Sequence, residues 1–175
     1  MDQKQIRKVL RASSVVQAYA HQIGLVPTRT VPALIVMFDT LVTESLLNKT
    51  TRQLFLDGHY ALAVEEAYKC LNNVVKSRSK LTADGADLMR TAFSPKNPIL
   101  KLNPLKTESQ KNHQQGYMDI FAGCMTGIRN PRAHEHRYLD EPDVALEMLS
   151  LANHLLRLVQ NAKLTRSQSG RRFKP

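Results

Sequence analysis

Tyr60-Ala61-Leu62-Ala63-Val64-Glu65-Glu66-Ala67-Tyr68-Lys69-Cys70-Leu71-Asn72-Asn73-Val74-Val75 decides the fold. Tyr60, Val64, Ala67, Tyr68, Leu71, Val74 and Val75 form one apolar stripe, and Glu65, Glu66, Lys69 and Lys76 take the other side. Recurrence at three and four residues is the mark of an amphipathic helix. Just upstream, Asp57-Gly58 makes a tight break, and Leu54 and Phe55 before it point inward from a preceding helix. Together they predict an αα-hairpin with a glycine at its corner.

The same period extends in both directions. Residues 2–24 read as an amphipathic helix with Ile6, Val9, Leu10 and Val16 near one face, punctuated by Gly24 and Pro27. Residues 31–47 read as a second apolar helix through Leu34, Met37, Phe38, Leu41 and Val42, which Asn48–Leu56 continues or restarts. Downstream, Thr82 is placed to cap a short helix running to about Phe93. Pro95, Pro98 and Pro104 make residues 94–106 an irregular connection.

Thr107-Glu108-Ser109-Gln110 matches a capping box. The helix it opens carries Tyr117, Ile120, Phe121, Cys124, Met125 and Ile128 on one face. Gly116, Gly123 and Gly127 along it permit close approach of a neighbouring helix; the alternative is that each only weakens the helix, by about 1 kcal/mol relative to alanine. Asp140, with Asp143 three residues on, caps a last helix with Pro142 in its first turn and Val144, Met148, Leu151, Leu155, Leu158 and Val159 as the buried stripe. Strand signals are nearly absent: there is no sustained alternation and no hairpin turn between β-branched runs. The expectation is an all-α bundle of about six helices.

At 175 residues the chain suffices for one domain with a substantial core. Its 25 Lys and Arg against 15 Asp and Glu give a formal charge of +10, which favours a polyanionic partner, nucleic acid above all. Lys4, Arg7, Lys8 and Arg11 crowd the start, and Arg166, Arg171, Arg172 and Lys174 crowd a polar tail expected to be disordered. Cys70 and Cys124, both among apolar residues, read as buried free thiols of a reducing compartment. With no signal-like segment and no 18-residue apolar run, a cytoplasmic location without membrane contact is expected. A P-loop, a GxSxG elbow and a paired GxGxxG are all missing, and no cofactor is expected.

The stretch that carries chemistry is Arg129-Asn130-Pro131-Arg132-Ala133-His134. Arginine holds phosphate through a planar fork of donors, and histidine moves protons near neutral pH. Since Pro131 disfavours α-helix at the residue before it, the hexad is expected in a turn or kink between two helices. Glu135, His136, Arg132 and Arg137 surround it. A solvated polar loop is the plain alternative. A metal site from His134, His136 and Glu135 is a lesser one, because no HExxH pattern or distant ligand cluster accompanies it.

The hexad resembles the motif of the HEPN superfamily: an arginine, a polar residue, a few variable residues and a histidine. Leu54–Tyr60, Ala63-Val64 and Glu66–Lys69 resemble the helical hairpin that opens these domains. Asp84-Gly85, Leu88-Met89, Ala92-Phe93, Gly116–Met118, Phe121–Gly123 and Gly127–Glu135 are similar to one narrower bacterial group, the Ymh-type hypothetical proteins. The resemblance covers roughly residues 45–163. It implies a HEPN-like core, preceded by a helical extension over 1–44 and followed by a basic tail over 164–175.

It further implies a metal-independent endoribonuclease of the toxin or antiviral-defence kind, or a non-catalytic module binding RNA, a nucleotide or a protein. The catalytic residues implied are Arg129, Asn130 and His134, with Arg132, Glu135 and His136 as substrate contacts. RNA is the implied substrate. The expected assembly is a homodimer with a composite active site, and an antitoxin or defence-system protein is a further implied partner. A helix-turn-helix DNA binder is the weaker rival, since no recognition helix rich in base-reading side chains stands out.

Overall fold

The computed structural model describes residues 31–135 and 139–165. The helix expected over 2–24 and most of the basic tail lie outside them. The chain divides into two compact units, Met1–Leu34 and Ile35–Pro175; apart from the first four residues of its opening helix, the architecture below is that of the second.

The fold is an all-α bundle. α1 (Val31–Leu41) is followed by α2 (Ser45–Leu56), α3 (Tyr60–Ser79), α4 (Gly85–Ala92), α5 (Glu108–Cys124), a five-residue π turn (Met125–Arg129), α6 (Asn130–His134) and α7 (Pro142–Asn161). The expected αα-hairpin is present: α2 packs on α3, and Gly58 turns the corner at φ +80°, a left-handed conformation that glycine adopts without steric cost. α7 covers α3 from another side, and α4 packs on α5. The core is built from Phe55, Val64, Tyr68, Leu71, Leu88, Phe121, Leu149 and Leu156, all fully or nearly fully buried. Phe93 and Phe121 stack with ring centroids 4.4 Å apart.

Several boundaries differ from the sequence reading, each for a local reason. The apolar run over 31–47 is two helices. Glu44 is extended, and α7 pins the break: Asn153 Oδ1 accepts from the Glu44 N–H at 2.8 Å, while Arg157 donates to Glu44 Oε1 and to Thr43 Oγ1. α4 is capped by Asp84 rather than Thr82. Asn72 explains the choice, since its side chain donates to Asp84 and accepts from the Gly85 N–H.

Thr107 does cap α5, accepting from the Gln110 N–H, but the Gln110 side chain reaches back to the Lys106 N–H, one residue beyond the usual partner. Ile120, expected inside, is 43% exposed. On α7 the buried face is Ala145, Leu146, Leu149, Ala152, Leu155, Leu156 and Val159, with Val144 outside. The polar residues Asp143, Glu147, Ser150, His154, Arg157 and Asn161 recur at helical spacing on the opposite side, a signal that fixes this rotation. The proline-rich connection contains a two-residue strand, β1 (Leu100–Lys101), paired antiparallel with β2 (Lys163–Leu164). Leu164 and Thr165, assigned by sequence to the tail, are therefore held: the Thr165 N–H donates to Ile99 O at 2.9 Å.

Candidate functional site

The hexad is not a turn. Arg129 and Asn130 both have right-handed helical angles, and the chain stays helical from Cys124 to His134. The way past Pro131 is the π turn. Proline has no N–H to return, and its ring crowds the carbonyl four residues earlier, at Gly127. In the π turn the Asn130 N–H bonds to Met125 O, five residues back, so the register slips by one residue just before the proline. Single π turns inside α-helices occur often at functional sites. Pro131 then falls in the first turn of α6, where a missing N–H costs nothing.

Helical geometry fixes where the side chains point. At about 100° per residue, Asn130 and His134 lie roughly 40° apart on one face, and Arg129 lies roughly 140° from His134. Arg132 points the other way, into the protein. Exposure follows this order: His134 and Glu135 are exposed, Arg129 and Asn130 are half-buried, and Arg132 is buried.

Arg132 is committed to the fold. Its guanidinium forks onto Asp140, Nε to Oδ2 at 2.6 Å and Nη2 to Oδ1 at 2.7 Å, and its Nη1 donates to Ile128 O at 2.8 Å. Both side chains of the ion pair are 4% exposed. The sequence reading of Arg132 as a substrate contact is thus corrected, and so is that of Asp140 as a cap of α7. Glu141 takes the cap position. The ion pair ties the π turn and α6 to the start of α7. No local signal marks Asp140 as this partner, because the two residues lie eight apart in the sequence.

Beneath the pair lie Tyr68 and Cys124. Burial raises the Tyr68 hydroxyl well above its ordinary range; the Cys124 thiol beside it adds to the rise, and the Arg132 charge opposes it. The hydroxyl donates to Met148 O at 3.1 Å. Burial also raises the Cys124 thiol, partly offset by its hydrogen bond with Tyr68. Both shifts favour the neutral forms of the two groups.

Arg129 is its opposite. Its Nε is buried and has no hydrogen-bond partner among the described residues. Buried polar groups are nearly always paired, so an orphan donor calls for a reason. Neither Asn130 nor His134 makes a side-chain hydrogen bond or ion pair within the described residues, and Asn130 does not reach His134 despite lying one turn away. His136 lies outside the described residues. Among those residues no three His, Cys, Asp or Glu side chains converge as a metal site. A groove of about 460 Å³ between α2 and α3, lined by Leu46, Thr50, Cys70, Asn73 and Ser77, involves none of the hexad. No helix among the described residues is long and apolar enough to cross a membrane.

Residues 42–159 match the family described as a protein of unknown function, Hypoth_ymh. The chain belongs to this family. The matched span takes in α2 to α7, and so the hexad, the Arg132–Asp140 pair and the Tyr68–Cys124 contact beneath it. No curated protein and no solved structure matches the chain. Membership of the Hypoth_ymh family carries no activity with it, so the functional reading rests on the site itself.

Proposed function

We propose that this Hypoth_ymh protein is a metal-independent endoribonuclease of HEPN type, serving as a toxin or in antiviral defence. The observation that carries the reading is the unpaired Nε of the half-buried Arg129, held at the end of a π turn five residues before an exposed His134. A guanidinium that no carboxylate claims is suited to a scissile phosphate and to the charge that builds on it in the transition state. His134 takes the proton of the RNA 2′-hydroxyl or gives one to the leaving 5′-oxygen, a role typically worth about 10²–10⁴-fold. The attack joins the 2′-oxygen to phosphorus as the bond to the 5′-oxygen breaks, leaving a 2′,3′-cyclic phosphate and a 5′-hydroxyl. Asn130, on the His134 face, orients the phosphate through its amide.

Arg129 and His134 diverge by roughly 140° around α6. A composite site from two protomers brings one chain's histidine to the other's arginine, and supplies a second His134 for the opposite proton transfer. The face of α5 bearing Gly116, Ile120 and Gly123, continued by Gly127 of the π turn, suits such a dimer. Among the described residues a Cβ at any of these glycines would meet nothing within 4 Å. RNA is the substrate, and an antitoxin or defence-system protein would control the enzyme.

The same divergence favours a second reading, a non-catalytic module in which Arg129 binds phosphate and His134 is incidental. Cleavage of labelled single-stranded RNA in excess chelator separates the two. Wild type is expected to leave cyclic-phosphate ends, and folded His134→Ala and Arg129→Ala are expected not to cut. Cutting that depends on added metal would overturn the mechanism. Retained RNA binding by His134→Ala, with no cutting by wild type, would favour the binding module.

A further inference from the structure

The net charge of +10 is concentrated in two stretches. Residues 88–107 hold Arg90, Lys96, Lys101 and Lys106, and residues 148–175 hold Arg157, Lys163, Arg166, Arg171, Arg172 and Lys174. Neither stretch has a single Asp or Glu, and in the rest of the chain the fifteen Lys and Arg equal the fifteen Asp and Glu. The two stretches meet in the β1–β2 ladder, where Lys101 stands directly opposite Lys163. Residues so paired point to the same side, with Cβ atoms about 4.5–5.5 Å apart, and like charges there are destabilising. Leu100, beside Lys101, is fully buried, so the strand's alternation turns both lysines outward.

Nothing among the described residues relieves this repulsion. Neither lysine makes an ion pair or a side-chain hydrogen bond among the described residues, whereas Arg90 and Arg157 have Asp87 and Glu44. The backbone under the lysines is nevertheless firmly held. The buried Gln114 side chain accepts from the Leu102 N–H at 2.9 Å and donates to Leu100 O at 3.0 Å and to Phe93 O at 2.9 Å. Arg78 caps the end of α7, donating to Val159 O, to Gln160 O and to Ala162 O, the residue before Lys163. Two uncompensated charges are therefore held side by side by fully satisfied polar groups.

We propose that the Lys101–Lys163 pair is a phosphate-backbone grip for single-stranded RNA, separate in sequence from the Arg129–His134 motif. The choice of RNA rests on the ribonuclease reading above. The pair supplies two adjacent positive charges, which suit the phosphate backbone and carry no sequence information directly. The cations after Lys163 extend the same charge along the chain.

The test is binding of a labelled 2′-O-methyl RNA of about 20 nucleotides, which attack by a 2′-hydroxyl cannot cut, across a salt series. Lys101→Gln/Lys163→Gln is expected to weaken binding about tenfold or more and to lower the salt slope by about 1.4, two phosphate contacts on a single strand. Lys49→Gln/Lys80→Gln removes the same charge from exposed, unpaired positions and is expected to bind within about twofold of wild type. Lys101→Glu sharpens the test. Placing opposite charges across the ladder should raise the melting temperature while weakening binding, which a merely structural lysine would not do.

Equal losses in the two double variants would overturn the proposal, as bulk charge then explains binding. So would displacement of the RNA by polyglutamate at equal charge, which would mark an acidic protein as the partner. Failure of wild type to bind would also overturn it. The ribonuclease reading falls separately: wild type that binds through the lysines yet cuts no RNA retains the grip and loses the nuclease, and cutting that ignores the lysines does the reverse.

Discussion

Arg129 and Arg132 sit three residues apart on one helical stretch, and they have opposite fates. Arg132 is buried and forked onto Asp140, with its remaining nitrogen on a backbone carbonyl. Arg129 is half-buried and keeps an unpaired Nε. The difference separates holding a shape from being left available. A buried charge whose donors are matched adds geometry, and one whose donors are not matched is a cost that a ligand can relieve. Side-chain polarity was the same at both positions; only the partner decided the role.

Breaking the satisfied side should cost the most. Arg132→Met leaves Asp140 buried without its partner and is expected to destabilise the fold by about 3–5 kcal/mol in denaturant unfolding. Arg132→Met/Asp140→Leu removes both charges and should recover most of that loss. If the single variant is as stable as wild type, the pair does not hold α6 to α7.

The unsatisfied side should behave in the reverse way. His134→Ala is expected to lower RNA cleavage by about 10²–10⁴-fold, with stability within about 0.5 kcal/mol of wild type, as for an exposed side chain. Arg129→Ala should match it in folding and in lost activity. A large drop in the stability of either variant would erase the contrast with Arg132.

Smaller effects test the elements around the motif. Asp84→Ala removes the α4 cap and should cost about 1 kcal/mol. The Asn72 amide, Lys76 and the Gly85 N–H hold the Asp84 carboxyl below its ordinary value. A lowered folded value means its ionised form stabilises the fold. That contribution is complete above the ordinary carboxyl value and fades as pH falls through the lowered one. Asp84→Asn should keep the cap and flatten this acid limb, as followed by thermal unfolding between pH 5 and 2.

Gly123→Ala should act in the opposite direction, a gain of about 1 kcal/mol in helix stability, since the added methyl meets nothing among the described residues. If the α5 face is the dimer contact, the same variant should also shift light scattering toward monomer. Stabilisation with unchanged assembly would remove this face from the interface.

Much of the architecture was legible in the sequence. The α2–α3 hairpin could be read because Asp57-Gly58 breaks two strong stripes, and Thr107 announced α5 through its capping pattern. The hexad itself was legible as residue types. Its conformation was not, because Pro131 locally argues against helix, and a π turn is a change of hydrogen-bond register that leaves no composition signal. Asp140 was misread for a related reason. An acid two residues before Pro142 fits a cap equally well until a buried guanidinium claims it.

The sequence by itself determined that this is an all-α protein with a strongly basic balance and one Arg-Asn-x3-His cluster, since helical period, charge and residue identity are local or additive properties. Tertiary structure alone decided which arginine is used up and which is left over. It also brought Lys101 against Lys163 across 62 residues of chain. Both outcomes depend on where distant groups meet: a guanidinium's role is set by whether a carboxylate reaches it, and like charges become a site only when strand pairing holds them together.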